Sequence, residues 1–213
     1  KKPALLLKVN QGTSSYMGRE AILKKIEAIK KTVRAKNLPN VYLLNGDLTD
    51  TEMNELYNHP KVKAMVSLTR GEGFGRPLLE FTTSQKPLLT TNWSGQTDFL
   101  DPQMTSLIGG ELTHVHPSAA NKWLLKEGQW MTVDYPQVGA HMRDIFEKYK
   151  PYKEKAKRQA YKSRTEFSWK AMRDQLGVRF ESLIPEIAKQ VKLKLPKLKK
   201  IEVLADVATE NAQ

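Results

Sequence analysis

The chain contains no cysteine, which excludes disulfide bonds and thiol-based catalysis along its 213 residues. No apolar run approaches the roughly 18 residues that a membrane-spanning helix needs. No signal peptide is visible, and the first residue is Lys1 rather than methionine. These absences favour an intracellular protein, and we expect a cytoplasmic location. We also expect the chain to be a fragment, a processed product or a trimmed form of a longer protein.

Positive charge is abundant and unevenly distributed. The formal net charge is +12, and the segment from Arg143 to Lys200 holds 18 Lys and Arg against 7 Asp and Glu. Such a segment favours polyanionic partners: anionic lipid head groups, which would make the protein peripheral to a membrane, an acidic polysaccharide, or nucleic acid. A solvated helical surface that keeps the protein in solution is the more ordinary interpretation. Nucleic acid is the weakest candidate, because the sequence has no recognisable reader motif.

Short apolar runs alternate with helical patterns through the first hundred residues. Strands are predicted at 5–9, 41–44, 64–68 and 86–91. Helices are predicted at 19–35, after the capping box Thr49-x-x-Glu52, and after Pro77. This alternation predicts an α/β fold with a doubly wound parallel sheet, whose ligands bind beyond the carboxyl ends of the strands.

The alternation weakens after Phe99. The segments 106–108 and 112–116 predict a short hairpin around Gly109-Gly110. Three helices follow in the prediction, at about 137–149, 151–165 and 168–184, with Ser168 as the N-cap of the last. We therefore expect one domain over 1–186 and a basic C-terminal tail over 187–213.

Two glutamates around a glycine turn are the most informative feature of the chain. The run Glu72-Gly73-Phe74-Gly75-Arg76-Pro77-Leu78-Leu79-Glu80 follows a predicted buried strand and opens a helix, for which Pro77 suits the first position. Unpaired amides at a helix start favour an anion such as phosphate, and glycines allow a ligand close to the backbone. Two flanking carboxylates can hold sugar hydroxyls on one side and a ribose on the other.

This spacing resembles the donor-sugar signature of retaining GT-B glycosyltransferases, especially those of the family 4 type. The segment Lys86–Phe99 is similar to that family's next strand and loop, where a small residue follows a "G-x-P-V-V" run. Phe167-Ser168-Trp169-Lys170 matches the "F-S-W" that opens its last long helix, and Val41–Gly46 matches a further strand. The likeness covers roughly residues 4–184. It implies the Rossmann-like, nucleotide-sugar-binding C-terminal half of a GT-B fold.

The resemblance also implies roles for single residues. Glu72 would be the catalytic residue, facing the donor hexose and stabilising its hydroxyls or the developing positive charge. The amides of Gly73, Phe74 and Gly75 would line the sugar and the diphosphate. Glu80 would accept hydrogen bonds from the ribose hydroxyls. No metal and no cofactor is implied, because the nucleoside-diphosphate sugar is itself the substrate.

The cations that would face the leaving diphosphate are the weakest match between this chain and the family. The family usually supplies an Arg and a Lys after the first strand in a "G-R-x-x-x-x-K-G" pattern, whereas this chain has Lys8-Val9-Asn10-Gln11-Gly12-Thr13-Ser14-Ser15. Lys8 is the candidate for one cation, and a strand-end surface lysine is an equally open interpretation. Arg76 or Arg70 is the candidate for the second cation. Asn45, followed by Gly46, falls where the family's nucleobase meets backbone groups.

The expected function is donor binding in a glycosyltransferase that moves a hexose to an unknown acceptor with retention. Acceptor recognition in this family usually lies in an N-terminal half, so we expect that domain to be missing here and this chain to be inactive alone. Two alternatives stay open: a non-catalytic GT-B-like module that docks on an anionic surface, and a nucleotide-sugar epimerase of related architecture. The ordinary interpretation of the Glu72–Glu80 run is a glycine loop before a helix, of a kind common in α/β proteins, with two glutamates that are only surface charges. His114 and His116 are most simply two polar strand residues rather than metal ligands.

Overall fold

A computed structural model of the chain describes residues 3–9, 16–35 and 37–184. Strands and helices alternate through its first half. In chain order they are β1 (Ala4–Val9), α1 (Tyr16–Thr32), β2 (Asn40–Asn45), α2 (Asp50–Asn58), β3 (Met65–Ser67), α3 (Arg76–Thr82) and β4 (Leu88–Thr91). The predicted alternation of strands with helices is therefore confirmed.

The described residues after β4 add three short strands and then three α-helices. They are β5 (Ser106–Ile108), β6 (Gly110–His114), β7 (Gln129–Val133), α4 (Tyr135–Glu147), α5 (Tyr149–Glu166) and α6 (Trp169–Leu183). The three predicted C-terminal helices are confirmed to within a few residues at their ends. No helix in the described part of the chain is long and apolar enough to cross a membrane.

Local sequence signals set the start of two helices. At α2 the Thr49 amide donates to Glu52 Oε2 at 2.8 Å, and the Glu52 amide donates to Thr49 Oγ1 at 3.3 Å. This is the predicted capping box, which satisfies two amides that a helix start leaves unpaired. At α6 the amide of Ala171 donates to Ser168 Oγ at 3.1 Å, so Ser168 caps that helix as predicted.

The described strands form three small sheets, and the prediction of one doubly wound sheet is wrong for this part of the chain. β1 pairs only with β2, in parallel; β3, β4 and β5 form a parallel sheet; β6 and β7 are antiparallel. A single sheet would require β3 to pair with the β1–β2 ribbon. β3 has only three residues, and its ladder is formed with β4. The ribbon is correspondingly less covered, since Leu5 and Leu6 are 39% and 43% exposed.

The predicted hairpin between 106–108 and 112–116 is also wrong. β5 lies parallel to β4, with Leu89 opposite Ser106, whereas β6 pairs with β7, with Glu111 opposite Thr132. Gly110 permits the second pairing, because a Cβ there would lie 2.1 Å from the Thr132 carbonyl oxygen. The apolar runs predicted the strands but not their partners, which are distant in sequence.

The core consists of two apolar clusters on opposite faces of β4. Leu89 belongs to one cluster, with Ile108 and the α4 residues Val138 and Ile145. Leu88 belongs to the other. That second cluster comprises Leu78, Phe81, Leu88, Phe99 and Leu100. Successive side chains of a strand point to opposite faces, so β4 is buried on both sides, as a strand of a parallel sheet between helices should be.

The chain divides into two compact units, Lys1–Met172 and Arg173–Gln213. In the second unit the described residues are 173–184, which complete α6; there the Ile184 amide donates to the Phe180 carbonyl at 2.9 Å. The predicted basic tail at 187–213 lies outside the described residues, so the proposed domain limits of 1–186 and 187–213 stay predictions.

Buried Gln159 joins α5 to the segment between β4 and β5. Its Nε2 donates to the Phe99 carbonyl at 2.8 Å and to Ser163 Oγ at 3.2 Å. Its Oε1 accepts from the Asp101 amide at 2.9 Å and from Thr105 Oγ1 at 3.3 Å. One side chain that is 2% exposed therefore satisfies three groups of the β4–β5 segment and one of α5.

We expect Gln159→Met to lower the free energy of unfolding by about 2–4 kcal/mol. The substitution keeps the volume but leaves the Phe99 carbonyl and the Asp101 amide without their partner. Urea unfolding followed by circular dichroism measures the change. Gln103→Met, at an exposed position of the same segment, is the matched control and should stay within about 0.5 kcal/mol of the wild type. Equal effects of the two variants would contradict a structural role for Gln159.

Candidate functional site

The glycine turn lies between β3 and α3, as predicted. Helix α3 begins at Arg76, with Pro77 as its second residue, and Gly75 is the N-cap residue. Gly75 has φ +88°, a left-handed conformation that strains any residue with a Cβ. Its position is tight as well, because an added Cβ would lie 3.4 Å from the side chains of Gln96 and Leu78.

Four consecutive amides of this turn donate no hydrogen bond within the described part of the chain: Gly73, Phe74, Gly75 and Arg76. The next amides are engaged, because those of Leu78 and Leu79 both donate to the Gly75 carbonyl. A Cβ built on Gly73 would meet no atom within 4 Å, so the turn opens onto free space there. Successive unpaired amides can bind an anion when they point to one place.

Glu72 is held by its backbone, and its carboxylate is uncommitted. The Glu72 carbonyl accepts from the Gly95 amide at 3.0 Å and from Ser94 Oγ at 2.6 Å. Its amide donates to the same Ser94 Oγ at 3.3 Å. Glu72 is half-buried as a residue, and no described residue makes a hydrogen bond or an ion pair with its carboxylate. The position of Glu72 is thus fixed, while its charged oxygens stay available to a ligand.

Ser94 and Gly95 form the second wall of the turn, and the sequence did not reveal their role. Ser94 has φ 71° and ψ −159°, a conformation that is essentially restricted to glycine. A Cβ on Gly95 would lie 2.2 Å from the Gly73 carbonyl oxygen and 2.7 Å from the Phe74 Cα. The only signal in the sequence is a glycine after a serine, in the loop that follows β4.

Glu80 lies one turn into α3 and is paired with Arg76. Arg76 Nε donates to Glu80 Oε1 at 2.5 Å, and Arg76 Nη2 lies 3.9 Å from Asp50 Oδ1 at the start of α2. The hydrogen bond to Glu80 raises the pKa of Arg76 above its ordinary value. Burial and then the Glu80 carboxylate raise the pKa of Tyr57. The side chains of Arg76 and Glu80 are 72% and 41% exposed, so water screens this pair.

Lys8 and Asn45 lie together at the carboxyl end of the β1–β2 ribbon. Asn45 is opposite Val9 in the ladder, and Lys8 Nζ donates to the Gly46 carbonyl at 2.7 Å. Lys8 is exposed, so its ammonium group can still reach a ligand beyond the strand ends. Residues 10–15, the stretch in which the family's second cation is missing from this sequence, lie outside the described residues.

The two candidate replacement cations differ in their surroundings. The Arg70 guanidinium lies 3.8 Å from the ring centroid of Trp130, and the Arg70 carbonyl accepts from the Met131 amide at 3.1 Å. Arg70 is therefore engaged with β7. Arg76 belongs to the glycine turn itself and is bound only by exposed carboxylates. Arg76 thus lies at the turn itself, whereas Arg70 packs on β7; which of them supplies the second cation stays a prediction.

The described residues include no group of three or more His, Asp or Glu side chains that could hold a metal ion. His116 has a local role, since its Nδ1 lies 2.7 Å from Ser118 Oγ in a short turn. Comparison with protein-family models finds no match, and comparison with curated protein sequences finds none either.

We expect Gly95→Ala to destabilise the protein by about 1–3 kcal/mol, because the new methyl group would displace the Gly73 carbonyl. Urea unfolding measures this change. Gly73→Ala is the matched control on the other side of the same contact, where a methyl group meets only open space. Its stability should stay within about 0.5 kcal/mol of the wild type. A Gly95→Ala protein as stable as Gly73→Ala would show that the two loops are not in contact.

Proposed function

We propose that this chain is the donor-binding domain of a retaining glycosyltransferase and binds a nucleoside-diphosphate sugar at the turn between Glu72 and Glu80. The observation that carries the proposal is the run of unpaired amides from Gly73 to Arg76, flanked by a carboxylate that no described residue engages. These groups match the two chemical parts of the ligand. Amides suit the diphosphate, and carboxylates suit sugar hydroxyls.

Each group has one task in this proposal. The amides receive the diphosphate oxygens, on which negative charge grows as the glycosidic bond breaks. Glu72 accepts hydrogen bonds from the hexose and stabilises the positive charge that develops on its ring. Glu80 accepts hydrogen bonds from the ribose hydroxyls. Asn45 and its neighbour Gly46 contribute backbone contacts to the nucleobase.

Arg76 supplies positive charge to the diphosphate, with Lys8 as the second cation. The present partners of Arg76 are the exposed carboxylates of Glu80 and Asp50. Exposed ion pairs contribute little, so Arg76 can turn towards a phosphate oxygen at small cost. Glu80 is then released for the ribose. The acceptor is bound by a separate N-terminal domain in this proposal, so the chain alone binds the donor without transferring the sugar.

Calorimetric titration with UDP, GDP and their hexose conjugates tests donor binding. We expect one of these ligands to bind, and Glu72→Gln or Glu80→Gln to weaken its binding by about one to two powers of ten, because each loses charge-assisted hydrogen bonds. Glu154→Gln is the control, since Glu154 is paired with Lys157 on α5, outside the proposed site. Absence of heat at millimolar ligand, or equal affinity of all three variants, would contradict the proposal.

A methyl group on Gly73 tests the proposed ligand position directly. We expect Gly73→Ala to bind the donor at least about tenfold more weakly at unchanged stability, because the methyl group would occupy the space that the diphosphate needs. Gly109→Ala is the matched control: it is a loop glycine where an added Cβ also meets no atom within 4 Å. If Gly73→Ala binds the donor as strongly as the wild type, the diphosphate does not bind at this turn.

A further inference from the structure

The loop between β6 and β7 presents an apolar tip to solvent. The tip is Lys122-Trp123-Leu124-Leu125-Lys126. Trp123 is 85% exposed, more than any other large hydrophobic side chain of the described residues, and Leu125 is 61% exposed. An indole this exposed contacts little of its own protein and projects from the surface. Neighbouring exposed apolar groups can form an interaction site when they act together.

The tip has an ordered backbone. Asn121 Oδ1 accepts from the amides of Trp123 at 2.8 Å and Leu124 at 3.0 Å, and the Asn121 amide donates to the Leu124 carbonyl at 2.9 Å. The Gly128 amide donates to the Leu125 carbonyl at 3.1 Å. Because these bonds fix the loop before any partner arrives, binding through Trp123 requires little further ordering of the chain.

Two lysines bracket the apolar residues. Lys122 Nζ lies 5.1 Å from the ring centroid of Trp123. The Lys126 side chain is 75% exposed, and its Nζ lies 3.7 Å from Glu127 Oε1. Long lysine side chains can lie along an apolar surface while their ammonium groups remain in water. The tip therefore combines an apolar centre with a lysine on each side, of which Lys126 is paired with an exposed carboxylate.

We propose that residues 122–126 insert into the interface of an anionic lipid bilayer. Trp123 and Leu125 occupy the boundary between head groups and acyl chains, where tryptophan is favoured, and Lys122 and Lys126 contact anionic head groups. A protein partner fits less well, because stable protein interfaces cover about 800 Å² on each side, whereas the exposed large apolar side chains of this tip are Trp123 and Leu125.

Sedimentation with phosphatidylcholine vesicles, with and without phosphatidylserine, tests this proposal on the whole chain. We expect binding that requires phosphatidylserine and falls with salt. Trp123→Ala should weaken it about tenfold, and removing Lys122 and Lys126 together should weaken it by about fivefold for each lysine. The matched control is Trp169→Ala, which removes an equally large side chain that is 82% exposed and should leave binding unchanged.

Quenching of tryptophan fluorescence by brominated lipid identifies the inserted residue among the four tryptophans. We expect quenching in the wild type and its loss in Trp123→Phe, a conservative change at an exposed position that should preserve the fold. Three outcomes would each overturn the proposal: no binding of the wild type to phosphatidylserine vesicles, equal binding of Trp123→Ala and Trp169→Ala, or burial of Trp123 in a dimer without vesicles. Nucleotide-sugar binding by Trp123→Ala should be unchanged. The membrane proposal and the proposed donor site can therefore be tested independently of each other.

Discussion

The close approach of Gly95 to the Gly73–Phe74 backbone is the constraint on which the candidate site depends. Gly95 comes this near only because it has no Cβ, and its amide then reaches the Glu72 carbonyl at 3.0 Å. Ser94 Oγ adds two hydrogen bonds to the same backbone: it accepts from the Glu72 amide and donates to the Glu72 carbonyl. These bonds engage the Glu72 backbone and leave its carboxylate and the next four amides without described partners. The same contact thus orders the turn and keeps its polar groups available.

A second set of bonds carries this order into the sheet. Thr91 Oγ1, at the end of β4, donates to the Thr69 carbonyl just after β3, and it accepts from Gln96 Nε2 at 2.8 Å. Gln96 is fully buried and lies against Gly75 at the start of α3. Hydrogen bonds and packing therefore connect the carboxyl ends of β3 and β4 to the glycine turn and to the loop that follows β4. A site supported by buried strands holds its groups more precisely than one on a free loop.

The sequence predicted what is local in this fold and missed what depends on distant residues. The capping box of Thr49 and Glu52 and the cap of Ser168 lie within three residues of their partners, so spacing alone revealed them. Strand pairing depends on tertiary contacts. The sequence therefore predicts a hairpin between 106–108 and 112–116, whereas β5 pairs with β4. In the site, the run from Glu72 to Glu80 predicts the glycine turn between β3 and α3, which the structure has. The two hydrogen bonds of Ser94 to the Glu72 backbone are not predictable, because a serine with positive φ has no signature in the sequence.

The Arg76–Glu80 pair has a consequence for how a ligand could be recognised here. Both groups are exposed, so their attraction is screened and adds little to stability. A diphosphate at the neighbouring amides would offer Arg76 a more highly charged partner, and Glu80 would then need another donor. A ribose supplies two hydroxyl donors. In the proposed mode of binding, a ligand with both a diphosphate and a ribose diol would offer new partners to Arg76 and Glu80 together, whereas inorganic phosphate would offer one to Arg76 alone.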